Sequence, residues 1–203
     1  MPKVSKDYKN KKKELLLQSA LKCFGEKGFQ AATMDDIVSY SKTSKGLIYN
    51  YFKSKDDLYI TLMEERTRNS INHFEEKFKT LETAKGKIHA LFEVFLNVSL
   101  TKERQEQINV QIEFWLNSGR QENLRKIMLD RYKNQYIKLL VEIIKEGLES
   151  GEFHKSIKPE IAAAMFWAYI DGIGLHYGVI GDEYEYKKVF EETEQAYLNY
   201  LCK

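Results

Sequence analysis

Between Pro2 and Pro159 the chain contains no proline, and no other proline occurs in its 203 residues. Proline removes a backbone donor and clashes with the preceding turn, so a chain this poor in it can run helix after helix. The fold class read from this is all-α. A composition of 43% hydrophobic and 31% charged residues describes a globular chain with a core, not a disordered tail. The length suits one large domain, or a small one joined to a larger one. The longest apolar run, Ile161–Ile170, is about half of what a bilayer span needs, so no membrane segment is expected. The start, MPKVSKDYKNKKK, lacks the apolar core of a signal peptide. Cys23 and Cys202 stand far apart without metal-ligand spacing, which reads as two free thiols in a reducing, cytoplasmic setting.

Charge is unevenly placed. Residues 1–55 hold twelve lysines against five acids, a surplus of +7, while the remainder, with 20 basic and 25 acidic residues, carries −5. A basic first quarter on an acidic body points to an N-terminal module that binds an anion, with nucleic acid the leading candidate. The Lys9–Lys13 cluster taken alone reads equally well as a solvated arm.

The first helix is expected to begin near Tyr8–Lys11. Leu17, Leu21 and Phe24, with Leu16, Ala20 and Cys23 beside them, form one apolar stripe, and Gly28 ends it. Thr33-Met-Asp-Asp36 reads as a capping box, with Asp36 reaching back to Thr33. It opens a short second helix that buries Met34, Ile37 and Val38 and stops around Tyr40–Ser41. A third helix starts at Thr43 or Ser44 and turns Ile48 and Phe52 inward. Ser54-Lys-Asp-Asp57 is a second capping box, opening a long helix to roughly Lys79. Further helices are expected over about 84–100, 102–117, 121–150, 159–179 and 183–201, with Ser150–Phe153 as a turn and Pro159 at a first helical position. An N-terminal domain of residues 1–60 then joins a C-terminal one of residues 61–203 inside the fourth helix, without a flexible linker.

Two short helices joined by a tight turn, with a longer helix across them, make a helix-turn-helix, whose second helix enters the major groove. With Ile48 and Phe52 facing in, Thr43, Ser44, Lys45, Leu47, Tyr49 and Asn50 point outward or sideways. Lys45 can donate to guanine O6 and N7, Leu47 can meet a thymine methyl, and Asn50 can pair with a base edge or a phosphate. Gly46 lets a backbone approach closely. Thr33 starts a helix whose free N–H groups can hold a phosphate. Lys55 opposes the dipole of the fourth helix, which an anionic partner would explain. Against this, Tyr49 and Tyr51 read equally as half-buried packing residues, and Lys53 and Lys55 as solvated.

Ala20, Phe24, Gly28–Phe29, Thr33, Ile37, Ser44–Gly46, Tyr49, Tyr51–Phe52, Ser54–Lys55 and Leu58, at these spacings, resemble the DNA-binding domain of the TetR (tetracycline repressor) family. The resemblance covers the first third of the chain; the rest is similar only in its helices and length. The family often carries an alanine and a glycine just before the recognition helix, where this chain has Ser41-Lys42-Thr43, so that turn is expected to differ. Leu47 stands where a threonine or polar residue is frequent. The resemblance implies that Thr33, Thr43, Ser44, Lys45, Gly46, Leu47, Tyr49, Asn50, Tyr51 and Lys55 contact double-stranded DNA at a palindromic operator. It also implies a homodimer, with the last two helices of each subunit in a four-helix interface, and a small-molecule inducer in the C-terminal domain.

An acidic C-terminal body repels DNA and needs another role. Its aromatics suit a pocket between bundle helices, and Phe92, Phe95, Phe114, Trp115, Tyr132, Tyr136 and Tyr169 are the expected ligand-binding residues, although each singly reads first as core. Glu113 could meet a cationic ligand; a solvated glutamate is the first reading. In Asp171–Gly178 the glycines do not make a dinucleotide fingerprint, since the spacing is wrong and no strand precedes them. Gly174 and Gly178, one turn apart, with Ala162–Ala164 upstream, form a flat strip for another helix, so the helices at 159–179 and 183–201 are expected to form the dimer seam. His73, His89, His154 and His176 are scattered, and no catalytic, metal or cofactor motif is present, so no enzyme, metal or cofactor is expected. The expected function is a ligand-responsive regulator, a repressor released from its operator by a small hydrophobic molecule. The competing expectation is a helical ligand-binding or interaction module that has lost sequence-specific DNA binding.

Overall fold

Helix starts are written into the chain as hydroxyl caps. Thr33, Ser44, Ser54, Thr83 and Thr101 each accept the N–H three residues on, satisfying one of the orphan donors of a first turn. The computed structural model describes residues 6–202. Pro2, part of the stretch read as lacking a signal core, and Lys203 lie outside the described residues. The helices are α1 (Lys6–Lys27), α2 (Met34–Ser41), α3 (Lys45–Tyr51), α4 (Lys55–Phe78), α5 (Ala84–Leu96), α6 (Lys102–Ser118), α7 (Glu122–Arg131), α8 (Lys138–Ser150), α9 (Pro159–Ile180) and α10 (Tyr186–Cys202). No strand occurs among the described residues, and no helix is long and apolar enough to cross a membrane. Cys23 is buried, Cys202 is exposed, and both are free.

The box at Thr33 is complete: the Asp36 N–H reaches the Thr33 hydroxyl at 3.1 Å, and the Thr33 N–H reaches Asp36 Oδ2 at 2.9 Å. At Ser54 it is shifted by one residue, because Asp57 takes the N–H of Lys53 at 2.8 Å. The helix expected over 121–150 is interrupted by a π-helical segment, Tyr132–Ile137, between α7 and α8. The wider turn leaves the Tyr136 carbonyl to accept the indole N–H of Trp167 at 3.0 Å. α5 stops at Leu96, and a 3₁₀ turn over Gly181–Glu183 delays α10 to Tyr186, with Gly181 at φ +74°.

Two hydrophobic cores share the chain. In the first, Leu17, Phe24, Phe29, Ile37, Ile48, Phe52 and Tyr59 close around Val110 and Phe114, which come from α6. In the second, Phe74, Phe92, Ile144, Phe166 and Tyr197 are buried together. Two of the expected pocket residues are therefore core. Phe92 lies edge-on to Phe166 at 4.9 Å between ring centres, and Phe114 lies edge-on to Tyr59 at 5.2 Å.

The small-residue strip of α9 is also used within the chain. A Cβ on Gly178 would meet Asn109 Oδ1 at 2.6 Å and Ile108 Cγ2 at 3.2 Å, and one on Gly174 would meet Ile108 at 3.9 Å. These glycines admit α6, not a second copy. Ala162 and Ala163 are buried, and the Ala162 carbonyl accepts the Tyr197 hydroxyl from α10 at 2.8 Å. The outward face of α9 is instead built by Ile161, Tyr169, Gly172, Val179 and Ile180, with Val179 at 74% exposure and open space beside Gly172.

Candidate nucleic-acid interface and interior cavity

The turn between α2 and α3 is closed by its own backbone and hydroxyls. The Lys42 N–H donates to the Ser39 carbonyl and the Thr43 N–H to the Val38 carbonyl, both at 3.4 Å, while the hydroxyls of Ser41 and Thr43 lie 2.8 Å apart. Lys42 takes a left-handed conformation, φ +52° and ψ +37°, which suits glycine and is shared by no other described non-glycine residue. The departure from the Ala-Gly pattern therefore puts a side chain where a glycine is favoured.

Ile48 and Phe52 anchor α3 in the core. Ser44, Lys45, Gly46, Tyr49 and Asn50 are exposed, and Thr43, Leu47 and Tyr51 are half-buried. Tyr51 packs against the first core, its ring 6.3 Å from Phe52. The Lys45 ammonium pairs with Asp35 at 2.8 Å, both solvent-exposed. Gly46 has nothing within 4 Å of the position a Cβ would take. No intramolecular contact requires glycine there, inside a helix where it costs about 1 kcal/mol relative to alanine.

Two residues read as phosphate contacts are already engaged. Thr33 spends both its hydroxyl and its N–H on Asp36. Lys27 at 2.6 Å, and then Thr33, hold the Asp36 carboxyl down to about 2, so the start of α2 carries its own anion. Lys55 donates to the carbonyls of Phe29, Gln30 and Ala32 at 2.6, 3.1 and 2.8 Å, and its ammonium stands 4.5 Å from the centre of the Phe29 ring. Its position against the helix dipole is thus explained by three carbonyls of the α1–α2 connection.

α6 joins this module to the rest. Glu113, expected to be solvated, accepts the Phe29 N–H at 2.8 Å, beside Gly28 at φ +77°. The Tyr59 hydroxyl donates to the Val110 carbonyl at 2.9 Å, and a Cβ on Gly25 would stand 2.9 Å from Cβ of Glu106. The opposite side of α6 carries Arg104, Ile108, Gln111, Ile112 and Trp115 at helical spacing. They line a cavity of about 360 Å³ with Phe95, Ile170, Leu175, Phe190, Arg66 and Asp171. Three larger hollows, about 690, 790 and 460 Å³, lie between α4 and α7–α8, between α1 and α6, and along α10 beside Tyr169, but mostly charged and polar side chains line them. The mainly apolar cavity is the one suited to a small organic ligand.

Of the expected pocket residues, Phe95 and Trp115 line this cavity. Tyr136 lies nearby in a separate cluster, its ring 4.7 Å from Trp167 and its hydroxyl 3.2 Å from that of Thr67. Tyr132 and Tyr169 are on the surface, 37% and 40% exposed, because the π-helical segment and the outer face of α9 turn them outward. Arg66, Arg104 and Asp171 belong to the cavity and escaped the sequence reading. Their signal was present: no opposite charge lies three or four residues from any of them, where a helical partner would sit. Burial pushes the Asp171 carboxyl up to about 7. No cluster of three metal-ligating side chains occurs among the described residues.

Residues 16–62 match the profile of the bacterial regulatory proteins, tetR family, and residues 86–199 match that of the BetI-type transcriptional repressor, C-terminal. The chain is 27% identical over 157 residues to the fatty acid metabolism regulator protein of Bacillus subtilis (strain 168), covering 77% of this chain and 78% of that one. It is 30% identical over 165 residues to the uncharacterized HTH-type transcriptional regulator YhgD of the same organism, covering 78% and 81%. Its fold superposes with a TM-score of 0.77 on the transcriptional regulator FadR from Bacillus subtilis, solved in complex with stearoyl-CoA. That match has 23% identity and covers 93% of this chain and 98% of that one.

Proposed function

The chain belongs to the TetR family of transcriptional regulators, and from that premise we propose that it is a homodimeric repressor which leaves a palindromic operator when a small, mainly apolar molecule enters the C-terminal bundle. Residues 1–60 read DNA and residues 61–203 bind the ligand and the second subunit. Ser44, Lys45, Gly46, Leu47, Tyr49 and Asn50 meet the major groove, with Thr43 and Tyr51 at its margin. The observation that carries this is the open surface of α3, where Gly46 serves no contact within the chain. A glycine kept on an exposed helix is suited to admitting another molecule's backbone.

The two faces of α6 support the switch. One face touches α1 through Glu106, the α1–α2 turn through Glu113 and α4 through Val110; the other lines the cavity and packs on Gly174 and Gly178. A ligand that favours a shifted α6 favours a dimer whose recognition helices no longer match half-sites about 34 Å apart. The outward apolar face of α9 is the surface we assign to the partner subunit.

The test is selection of DNA from a random library by the purified protein at about physiological salt. Enrichment of one palindrome is the expected result, and Lys45→Ala should relax specificity at one position within it. Salt-sensitive binding without any enriched sequence would refute the reading and leave the chain as a ligand-binding bundle.

A further inference from the structure

Arg66 and Arg104 line the cavity, one from α4 and one from α6, and among the described residues neither side chain has an ion-pair or hydrogen-bond partner. The Arg104 Nε is buried without an acceptor. A guanidinium nitrogen taken from water is ordinarily met by a carboxylate or by carbonyls, so the unmatched Arg104 Nε, with a second half-buried and unpaired guanidinium in the same cavity, is exceptional. They also act on each other. Burial first, and then the charge of Arg104, holds Arg66 below its usual range, with Arg131 adding to the repulsion. Arg131, whose Nη1 is likewise buried without an acceptor, donates otherwise to the Thr67 and Tyr136 hydroxyls, which bring no compensating charge. Most of the remaining wall is apolar, with Phe95, Ile108, Ile112 and Phe190, and Gln107, Gln111 and Asp171 are its other polar side chains.

We propose that this cavity takes an amphipathic carboxylate, its anionic head between Arg66 and Arg104 and its apolar body along the α6 face that ends at Trp115. The assignment rests on the reading of this cavity as the ligand site and names the ligand's chemistry. A planar guanidinium matches a carboxylate with paired donors, and two of them relieve their mutual repulsion on one anion. The volume, about 360 Å³, is at the small end for ligand pockets and fits a medium-length chain. Asp171 is the acid on the same wall. Burial raises its carboxyl to about 7, so near neutral pH it opposes an anion less than an ionised carboxylate would.

The experiment is calorimetric titration of the full-length protein with four ten-carbon probes below their micellar thresholds: decanoate, decanol, decyltrimethylammonium and decanoyl-CoA. Decanoate should bind at least tenfold more tightly than decanol and the ammonium. Arg66→Gln and Arg104→Gln should each weaken decanoate by tenfold or more and leave decanol unchanged, which also shows that the cavity persists. Equal or tighter binding of decanol or the ammonium, or binding of decanoyl-CoA without decanoate, would overturn the carboxylate assignment while keeping the cavity. If none of the four binds, the ligand-site reading falls and the assignment with it. Because the titration contains no DNA, a failure of operator selection leaves its outcome unaffected.

Discussion

Replacing Lys55 with methionine separates two roles for one side chain. Met keeps the stem and removes the ammonium, leaving the carbonyls of Phe29, Gln30 and Ala32 without their donor. The Gln30 carbonyl is exposed and water takes the lysine's place. Those of Phe29 and Ala32 are partly buried, and losing a charged donor there costs about 1–2 kcal/mol each. Loss of the ammonium over the Phe29 ring adds about 0.5 kcal/mol. Removing a cation from the first turn of α4 returns about 0.3–1 kcal/mol. The net expectation is a destabilisation of about 1.5–4 kcal/mol, or a fall in Tm of roughly 3–16 °C for a chain of this size. Urea or thermal unfolding measures it. The second readout is operator affinity against salt, at a temperature where the variant is folded. A lysine that closes the α1–α2 connection leaves the slope of log K against log [salt] unchanged, whereas a phosphate contact removes about 0.9 from it. An unaltered Tm with a slope shallower by that amount would refute the capping role.

Gly46→Ala should raise stability by up to about 1 kcal/mol in urea unfolding and weaken operator binding; unchanged affinity would remove Gly46 from the interface. Lys42→Gly should stabilise by about 0.5–1 kcal/mol, since Lys42 sits at φ +52°, and a lower urea midpoint would mean that its side chain holds the turn. Asp171→Asn should show a pH-dependent gain. The folded carboxyl is raised from 3.8 to about 7 and binds its proton more tightly than the unfolded one, so native stability falls as pH rises through that window. Arg66 and Arg104 share the cavity with it. The variant's Tm advantage should therefore grow between pH 4 and 7 and level off above, and a constant difference would contradict the burial of this carboxyl.

What could be read from the chain alone was local. Thr33 with Asp36, Ser44 before α3, Gly28 after α1 and Pro159 at the start of α9 each act within a few residues, and their elements are where those signals put them. Ile48 and Phe52 gave the orientation of α3 because helical spacing alone decides it. Partner choice was not local. Gly174 and Gly178 announce a close helix, but nothing nearby says whether it is α6 or a second subunit. Lys55 and Glu113 look like solvated charges until the α1–α2 connection is folded against them. The aromatics were ambiguous for the same reason: Phe92 and Phe95 lie one turn apart on α5, yet the first is core and the second lines the cavity. The π-helical segment at Tyr132–Ile137 escapes a period of 3.6, which absorbs one wide turn without losing its apolar stripe.

The placement of Val110 and Phe114 in the first core bears on how such a protein can be re-engineered. A chimera joined inside α4 would pair one protein's reading head with another's sensor, yet its N-terminal half would arrive without the two plugs that fill the hollow around Tyr59. A workable graft has to treat one side of α6 as property of the donor head, carrying Val110, Glu113 and Phe114 across with it, while the cavity side stays native to the sensor. The seam of exchange then runs lengthwise down a helix instead of across a linker.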